Sequence, residues 1–247
     1  MTEGSKILVI GESCLDIFHY GDCTRLAPAA PVPIFSPRSF TKTEGMAMNV
    51  QKNIESLGQE CDIITNPNWK EVTKSRYVHL NTNQMILRVD EGDEKIDRVD
   101  VKKLDLLKYN TIIISDYCKG FLTTEDIENI TSRHDRVFLD TKKILGPWAH
   151  NARFIKINFN EYCRSKHLLD ETLNSKLIVT MGPRGTKYQD EVSGVKEVEI
   201  KDTSGAGDTF LAGLVYQYEK TEDIKEAIEF ANACATTVVQ KRGVSVI

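Results

Sequence analysis

A short polar turn holds the residues whose types and spacing are best suited to chemistry. It reads Asp202-Thr203-Ser204-Gly205-Ala206-Gly207-Asp208-Thr209-Phe210, after a strand-like run at 195–200 and before an apolar segment with helical spacing at 210–218. Glycines let the backbone approach a ligand closely, and the first amides of a helix bind anions, phosphate above all. A carboxylate beside an anion site is unfavourable unless it has a task, and the simplest task is to accept a proton. The turn therefore predicts phosphate binding next to a general base, Asp208.

A purely structural interpretation of the turn is also available. The two glycines then only make a tight connection, Asp202 or Thr203 caps the helix, and Asp208 favours the positive end of the helix dipole. The complete run is more specific than a lone Gly-Ala-Gly, so the functional interpretation is preferred. It matches neither the Gly-x-x-x-x-Gly-Lys-Ser/Thr loop nor the Gly-x-Gly-x-x-Gly dinucleotide turn.

Composition excludes several classes of protein. A chain of 247 residues suits one large α/β domain. Its net charge of -4 does not favour binding to nucleic acid, so no nucleic-acid partner is expected. No apolar run reaches the roughly 20 residues of a membrane span, and residues 1–6 lack the apolar core of a signal peptide, so we expect a soluble, cytoplasmic protein without a membrane partner. The six cysteines contain no Cys-x-x-Cys and the five histidines show no ligand spacing, so neither a zinc site nor a disulfide framework is predicted.

The elements that would position the turn alternate between strand and helix. The first strand is predicted at Lys6 to Gly11. From residue 100 onward the pattern is regular, and a last helix is expected at Thr221 to Arg242. The intervening predictions are a helix at Val101 to Lys108, a strand at Thr111 to Ser115, a helix at Thr124 to Arg133, and strands at Arg136 to Asp140, Arg153 to Ile157 and Lys176 to Thr180. Such alternation implies βαβ units around a parallel sheet.

Polar residues follow four of these strands, where open α/β sheets bind their ligands. Asn158 and Glu161 could hold a magnesium ion directly or through water, Lys142 offers a charge for phosphates, and Gly182 and Gly185 offer bare backbone near a nucleotide. The alternative is that Asn158 and Glu161 cap the following helix and that Lys142 is solvated. The other polar groups at these ends are Asp116, Asp140 and Thr180. Further along the chain, Asn232 either borders an adenine pocket or is a satisfied core residue.

The first third of the chain supplies the other side of the predicted crevice. Asp16 lies near a strand end, and Asn49 lies in the first turn of a helix predicted from Gly45 to about Leu57, where it could bind sugar hydroxyls or act as a cap. Two alternating segments, 76–80 and 85–89, predict an antiparallel hairpin outside the main sheet. At its far end Arg88 and Asp90 could meet a substrate phosphate and a hydroxyl, or simply keep a strand edge soluble.

With these motifs in place, the chain resembles the ribokinase-like (PfkB) carbohydrate kinases, and within them the heptose 7-phosphate kinase branch. The resemblance covers nearly the whole chain. It is carried by Leu15-Asp16, Pro28-x-x-Pro31-Val32-Pro33, Gly45-x-Ala47-x-Asn49-Val50, Asn83-Gln84-x-x-Leu87-Arg88-x-Asp90, Ser115-Asp116-Tyr117-x-Lys119-Gly120, Asp140-x-Lys142, Asn158-x-x-Glu161 and the final Asp-Thr-x-Gly-Ala-Gly-Asp.

The resemblance implies a fold, a reaction and a set of site residues. The fold would be a shortened ribokinase-like three-layer α/β sandwich, one domain over 1–247 with a mostly parallel central sheet and a β lid formed by about 12–43 and 74–91. The reaction would use ATP and Mg²⁺ to phosphorylate a sugar or sugar phosphate, with self-association as a homodimer through the lid hairpin. Asp208 would be the base, and the turn amides at Gly205, Ala206 and Gly207 would form the anion hole. The residues that would contact the acceptor are Asp16, Gly45, Asn49, Arg88, Asp116 and Lys119. Those that would contact the nucleotide are Lys142, Asn158, Thr180, Gly182, Gly185 and Asn232, and Glu161 and Asn158 would hold the metal.

Three departures from the branch keep other functions open. Met46 stands where the branch has a second glycine, Met48 replaces a small residue, and the chain lacks a strand-and-helix unit between Ile64 and Lys74. A bulky side chain at 46 or 48 could fill space that the sugar would occupy. The alternatives are a kinase for another sugar or a nucleoside, or a nucleotide- or sugar-binding protein that has lost turnover. The intact Asp208 turn argues against a pure binder, because a base has no use there.

Overall fold

The structure of the chain is a computed structural model that describes residues 6–247. Its main feature is an eight-stranded sheet in which six neighbouring strands run parallel, and an antiparallel hairpin of two short strands extends one edge. Across the sheet the order is β12 (Glu191–Ser193), β11 (Thr186–Tyr188), β10 (Leu177–Thr180), β9 (Phe154–Asn158), β8 (Val137–Thr141), β7 (Thr111–Asp116), β1 (Ile7–Gly11) and β4 (Cys61–Ile64).

Helices cover both faces of this sheet. They are α1 (Ala47–Ser56), α2 (Thr124–Arg133), α3 (Phe159–Ser165), α4 (Glu171–Lys176), α5 (Ala206–Thr221) and α6 (Ile224–Val238), with short 3₁₀ turns at Asp93–Lys95, Val101–Lys103, Pro147–Ala149, Lys166–Leu168 and Gly182–Arg184. Residues of α1, α5 and α6 form one hydrophobic cluster, and α2 and α4 contribute to another. The three-layer arrangement that the sequence predicts is therefore observed. None of the helices within 6–247 is both long and apolar enough to cross a bilayer.

The central strands are apolar throughout because both of their faces are buried. In β1, Ile7 and Val9 belong to the cluster under α1 and α5, whereas Leu8 and Ile10 belong to the cluster under α2. Alternate side chains of a strand point to opposite faces of the sheet, so a strand covered twice needs an uninterrupted apolar run. The strands end at the same edge, which places their polar ends together.

A second sheet of four strands packs beside the first. Its order is β3 (Pro33–Met46), β2 (Ser13–Leu26), β5 (Thr73–His79) and β6 (Met85–Glu91); only the β2–β5 pair is parallel. The predicted hairpin outside the main sheet is thus present as β5 and β6, and two 14-residue strands extend it. The outer strand β6 exposes Met85 and Leu87, and self-association there stays a prediction.

Three element predictions were wrong at their boundaries or in kind. The strand expected at 195–200 is irregular, because the sheet already ends at β12. The helix expected at Val101 to Lys108 is a 3₁₀ turn, since Arg133 donates to the carbonyls of Val101 and Leu104 at 2.9 and 2.6 Å and takes up helix acceptors. The last helix starts later than Thr221, because the Asp223 side chain caps α6. From β4 the chain reaches β5 through 65–72 with no further strand or helix, as expected for a shortened member.

Candidate active site

Asp208 lies in the first turn of α5 and is nearly completely buried, with 4% of its surface exposed. Its Oδ2 accepts a hydrogen bond from Asn49 Nδ2 at 3.0 Å, and its Oδ1 accepts one from the Tyr117 hydroxyl at 2.5 Å. Asn49 belongs to α1, and Tyr117 belongs to the loop after β7. Three elements that are distant in sequence therefore meet at this carboxylate.

The surroundings of Asp208 tune its acidity to the neutral range. Burial raises the pKa of Asp208 to about 6. The hydrogen bonds from Asn49 and Tyr117 and the charge of Lys156 lower this pKa, but by less than burial raises it. A carboxylate with a pKa near 6 is ionised at pH 7 and is a stronger base than an exposed aspartate. These properties suit proton abstraction from a hydroxyl group.

The turn before Asp208 exposes backbone to any ligand that approaches α5. Gly205 is the N-cap residue and has a left-handed φ of 78°. A Cβ at Gly207 would lie 3.1 Å from Lys156 Nζ, so an ammonium group sits directly against the turn. The Ala206 amide, which was predicted to belong to the anion hole, already donates to Thr203 O at 3.2 Å. A helix N-terminus and a buried lysine together favour negative charge at this point.

We expect Gly205→Ala to destabilise the protein by about 1–3 kcal/mol more than Gly58→Ala, the usual cost of a steric collision in a packed site. Both glycines have a left-handed φ, 78° and 84°, so both variants carry the backbone penalty of an L-residue there. Only at Gly205 would the new Cβ also collide, 2.7 Å from Asn49 Nδ2, whereas nothing lies within 4 Å at Gly58. Urea unfolding of the two variants measures the difference. Equal losses would show that Asn49 can move aside freely.

Two lysines line the crevice beside Asp208. Lys156 of β9 is 4% exposed and donates to Asp140 Oδ2 at 2.7 Å. Lys142 pairs with Glu161 Oε1 at 2.7 Å and lies over the Tyr117 ring. Burial works against the Lys142 ammonium, but the charges of Asp140 and Glu161 raise its pKa, so it stays positive. The carboxyl ends of β8 and β9 therefore hold two ammonium groups, each paired with a carboxylate, next to Asp208.

Asn158 and Glu161 are held together at the start of α3. Asn158 Oδ1 accepts from Glu161 N at 3.0 Å, and Asn158 N donates to Glu161 Oε2 at 2.7 Å, which makes a reciprocal capping box. The helix-capping alternative is thus present in the structure. The capping also fixes both side chains at the end of β9, beside Lys142.

One carboxylate oxygen in this corner lacks a partner. Asp140 Oδ1 is buried and accepts no hydrogen bond, although Asp140 Oδ2 does. In residues 6–247 no three His, Cys, Asp or Glu side chains are grouped so that they could hold a metal ion alone. Magnesium usually keeps several waters and takes one or two carboxylates together with substrate phosphates. The donors here fit an ion of that kind that arrives with a nucleotide.

A cavity of about 700 Å³ opens next to the turn. Thr180, Gly182, Gly185 and Asn232, which the sequence predicts to meet a nucleotide, line it together with much of the irregular segment at 195–200. Asn232 Oδ1 accepts from Thr186 Oγ1 at 2.7 Å, and its Nδ2 donates to Ser193 Oγ at 3.2 Å. Asn232 is therefore a hydrogen-bonded, 6% exposed residue of the cavity wall, and its contact with an adenine stays a prediction.

Across the crevice, Asp16 on β2 forms a buried ion pair with Arg76 on β5. The Arg76 guanidinium also lies over the Phe18 ring, 4.9 Å from its centroid. A Cβ at Gly45 would lie 2.2 Å from Asp16 Oδ2, so only glycine fits where β3 passes this carboxylate. Asp16, Gly45 and Arg76 are thus one packed unit on the inner face of the second sheet.

The remaining predicted acceptor residues are already paired. Arg88 binds Asp90 with two hydrogen bonds of 2.7 and 2.8 Å, and Lys119 pairs with Asp93 at 2.5 Å. Asp116 is 1% exposed. Asp116 accepts from Lys143 Nζ at 2.7 Å, from Cys118 N at 3.2 Å and from Thr141 Oγ1. This geometry makes Asp116 a support of the loop at 116–120, and direct contact with substrate stays a prediction.

Met46 does not lie free in the crevice. It is 3% exposed and packs in the hydrophobic cluster with Leu8, Ile10 and Cys14. Its φ of 61° and ψ of −130° belong to a region that favours glycine, so the methionine is held there by its buried side chain. Met48 is half-buried, and its amide donates to Ser13 Oγ at 3.2 Å.

Sequence reasoning missed three residues of the site: Tyr117 on Asp208, Lys156 under the turn, and Arg76 on Asp16. Lys156 carries a visible signal, since it interrupts the apolar run of a buried strand. Arg76 and Tyr117 have no such local signal in the sequence, because their partners, Asp16 and Asp208, lie 60 and 91 residues away.

Known proteins resemble this chain over most of its length. Residues 65–246 match the family described as pfkB family carbohydrate kinase. The bifunctional protein HldE of a Nitratiruptor species is 30% identical over 96% of this chain, and the chain spans 62% of that protein's length. The bifunctional protein HldE of Helicobacter acinonychis is 31% identical over 96% of this chain, which spans 63% of its length.

Solved structures share the fold. The ribokinase of Thermotoga maritima gives a TM-score of 0.75 at 16% identity and covers 96% of this chain and 94% of its own. The Arabidopsis thaliana ribokinase complexed with ribose and ATP gives 0.72 at 14% identity and covers 98% and 94%. The ribokinase-like fold predicted from the sequence is confirmed.

Proposed function

Because this chain belongs to the pfkB family of carbohydrate kinases, near its HldE branch, we propose that it transfers the γ-phosphoryl group of ATP to the anomeric hydroxyl of a heptose 7-phosphate. The observation that carries the proposal is the Asp208 turn: a buried carboxylate with a pKa of about 6 at a helix N-terminus, flanked by Lys156 and Lys142. A base and an anion site side by side are what phosphoryl transfer to a hydroxyl requires.

In the proposed reaction, Asp208 takes the proton of the acceptor hydroxyl while the oxygen of that hydroxyl bonds to the γ-phosphorus of ATP. The bond between the γ-phosphorus and the bridging oxygen breaks, and ADP leaves with its electrons. Lys156 and the backbone at Gly205 and Gly207 lie where charge on the transferred group would be stabilised. Asn49 holds Asp208 Oδ2. Positioning and electrostatics supply most of such catalysis, so the packing of these groups matters directly.

The nucleotide is assigned to the cavity beside the turn. Thr180, Gly182 and Gly185 would border it. Lys142, which is paired with Glu161 after the end of β8, would approach its phosphates from outside the cavity wall. Asn158, Glu161 and Asp140 would hold magnesium, largely through water, and the ion would neutralise phosphate charge when bound. The Arabidopsis ribokinase, whose structure contains ATP and ribose, supports ATP as the donor through the shared fold.

One buried cation on the acceptor side supports a phosphorylated sugar. The cations there, Lys74, Arg76, Arg88 and Lys119, are each paired with a carboxylate, namely Asp16, Asp90 or Asp93. Lys74 is 4% exposed, and its Nζ has no hydrogen-bond partner, only carboxylates at 3.6 and 3.5 Å. A buried ammonium that lacks hydrogen bonds is stabilised by an anionic ligand.

The experiment is an assay with MgATP and a panel of acceptors: D-glycero-β-D-manno-heptose 7-phosphate, the same heptose without phosphate, ribose, fructose 6-phosphate and a nucleoside. We expect the heptose 7-phosphate to give the highest kcat/KM, with a heptose 1,7-bisphosphate product identified by phosphorus NMR. Lys74→Met should reduce the preference for the phosphorylated sugar, whereas Lys70→Met, an exposed lysine, should not. Faster turnover of ribose or the nucleoside would assign a different acceptor, and ATP binding without any transfer would favour the binding protein.

The pH dependence of kcat/KM should report the ionisation of the Asp208 carboxyl group. Only the ionised carboxylate accepts a proton, so kcat/KM should rise about tenfold per pH unit up to about 6 and level off above pH 7. An aspartate with an ordinary pKa would place this limb near pH 4. A pH series from 4.5 to 8.5 at subsaturating acceptor distinguishes the two. A limb near pH 4 would exclude a buried base.

A further inference from the structure

One side chain on Asp208 has no part in the reaction described so far. The Tyr117 hydroxyl donates to Asp208 Oδ1 at 2.5 Å. Burial and the Asp208 charge hold the pKa of Tyr117 well above its ordinary value, so the phenol keeps its proton and remains a donor. Tyr117 belongs to the Ser115-Asp116-Tyr117-x-Lys119-Gly120 motif, in which sequence reasoning assigned roles only to Asp116 and Lys119.

The loop that carries Tyr117 is held by a buried carboxylate from another element. Glu12, at the end of β1, is 0% exposed. Its Oε2 accepts from Tyr117 N and its Oε1 from Lys119 N, both at 2.8 Å. Between them, Cys118 has a left-handed φ of 60°, a conformation that a non-glycine residue adopts only when its surroundings impose it.

The Tyr117 side chain has little freedom to move. Its ring packs against the hydrophobic cluster under α2, and Lys142 Nζ lies 5.2 Å from the ring centroid. The backbone is fixed by Glu12, the ring by these contacts, and the hydroxyl by Asp208. A side chain held at three points can define where its partner lies.

We propose that Tyr117 is a positioning residue for the base Asp208, and that Glu12 acts through the loop at 116–120 to hold Tyr117 in place. The Tyr117 hydroxyl fixes the rotation of the carboxylate and stabilises its charged form, while Asn49 holds the other oxygen. The acceptor hydroxyl then meets a carboxylate that has one orientation. This inference rests on the proposed role of Asp208 as the base.

The groups around Asp208 decide how it titrates. Lys156 of β9 and the hydrogen bonds from Asn49 and Tyr117 lower its pKa, and Asp140 of β8 raises it. The charge of Asp208 also interacts with Lys142, from the loop after β8, and with Cys14 of β2. Removing the Tyr117 hydroxyl leaves the other groups in place, so its effect on the titration can be measured by itself.

The test is Tyr117→Phe, which removes one oxygen. A hydrogen bond to a charged group stabilises it enough that its loss should move the acid midpoint of kcat/KM upward by about one pH unit. Activity with MgATP and heptose 7-phosphate should therefore fall about tenfold on the acid limb and much less at pH 8.5. The matched control is Tyr109→Phe, since Tyr109 makes the same kind of bond, to Asp62 at 2.8 Å, away from the crevice. Its midpoint should not move.

A second measurement does not depend on turnover. The carboxyl carbon of Asp208, labelled with ¹³C-aspartate and assigned with Asp208→Asn, should titrate about one unit higher in Tyr117→Phe. Glu12→Gln should move the midpoint in the same direction by less, because an amide oxygen replaces only one of the two acceptors, and should add nothing in the Tyr117→Phe background. If no acceptor is turned over, the proposed function fails and the carboxyl titration still decides this inference.

Two outcomes would overturn the inference. One is an unchanged Asp208 midpoint in Tyr117→Phe. The other is a loss of activity of equal size at every pH together with reduced thermal stability, which would make Tyr117 a structural residue only.

Discussion

Asp208→Asn is expected to lower kcat by two to four orders of magnitude and at the same time to make the protein more stable. The loss of rate follows from removing the general base, whose contribution is commonly about 10²- to 10⁴-fold. The substitution keeps the size of the side chain, and an amide oxygen can still accept from Asn49 or Tyr117. The loss should therefore fall on kcat rather than on acceptor binding.

The gain in stability follows from the sign of the pKa shift. The pKa of Asp208 is raised by burial from 3.8 to about 6, so the native state binds its proton more tightly than the unfolded chain does. Stability from this group is then greatest below pH 3.8 and declines as the pH rises to about 6. At pH 8 the charged carboxylate costs up to about 3 kcal/mol, which asparagine does not.

Urea unfolding of wild type and Asp208→Asn at pH 5 and pH 8 measures this effect. The variant should be the more stable protein at pH 8, and the difference should be smaller at pH 5. Asp140→Asn is not a suitable control, because Asp140 pairs with Lys156. Asp62→Asn, a carboxylate at the surface, should show no gain. A variant less stable than wild type at pH 8 would mean that Asp208 is stabilised as an anion and is not a raised-pKa base.

Arg76→Met should have the largest effect on stability of the substitutions on the acceptor side, about 3–5 kcal/mol of destabilisation. The variant leaves the Asp16 carboxylate buried without its cation, and it removes the guanidinium from the Phe18 ring. An uncompensated buried charge is far less favourable than a lost surface pair. Activity should fall as well, because Asp16 is proposed to contact the acceptor.

Two further variants test the cause. Asp16→Asn combined with Arg76→Met removes both charges and should recover a large part of the stability lost in Arg76→Met. Arg38→Met breaks the Arg38–Asp22 pair, in which the arginine side chain is 64% exposed, and should cost no more than about 1 kcal/mol. Similar losses in Arg38→Met and Arg76→Met would contradict a buried ion pair at Asp16.

Local sequence patterns determined much of the fold. The strand at 111–116 follows from an apolar run that only a sheet covered on both faces can accommodate. Helix α2 was predicted with the bounds observed. In the structure, a capping box of Thr123 and Asp126 fixes its start, and such a box depends only on residues three apart in sequence. The polar strand ends and the Asp208 turn were visible for the same reason: chemistry and structure both depend there on neighbours within a few residues.

The sequence was a poor guide where contacts with distant parts of the chain decide the local structure. The segment after Val101 has helical spacing, but Arg133 takes the carbonyls of Val101 and Leu104. The run at 195–200 alternates like a strand, yet it borders a cavity and has no strand to pair with. A bulky side chain at Met46 could have filled space for the sugar, but the Met46 side chain packs in the core.

The sequence by itself determined that this chain carries a glycine-rich turn with a carboxylate at 208 and a parallel sheet to present it, because glycine spacing and apolar periodicity are local properties. Only the tertiary structure decided what touches that carboxylate. Tyr117 and Asn49 reach Asp208 from 91 and 159 residues away, and Lys156 reaches the turn from another strand. Such contacts depend on the order and pleating of strands, which no local pattern encodes, and they set both the orientation and the pKa of Asp208.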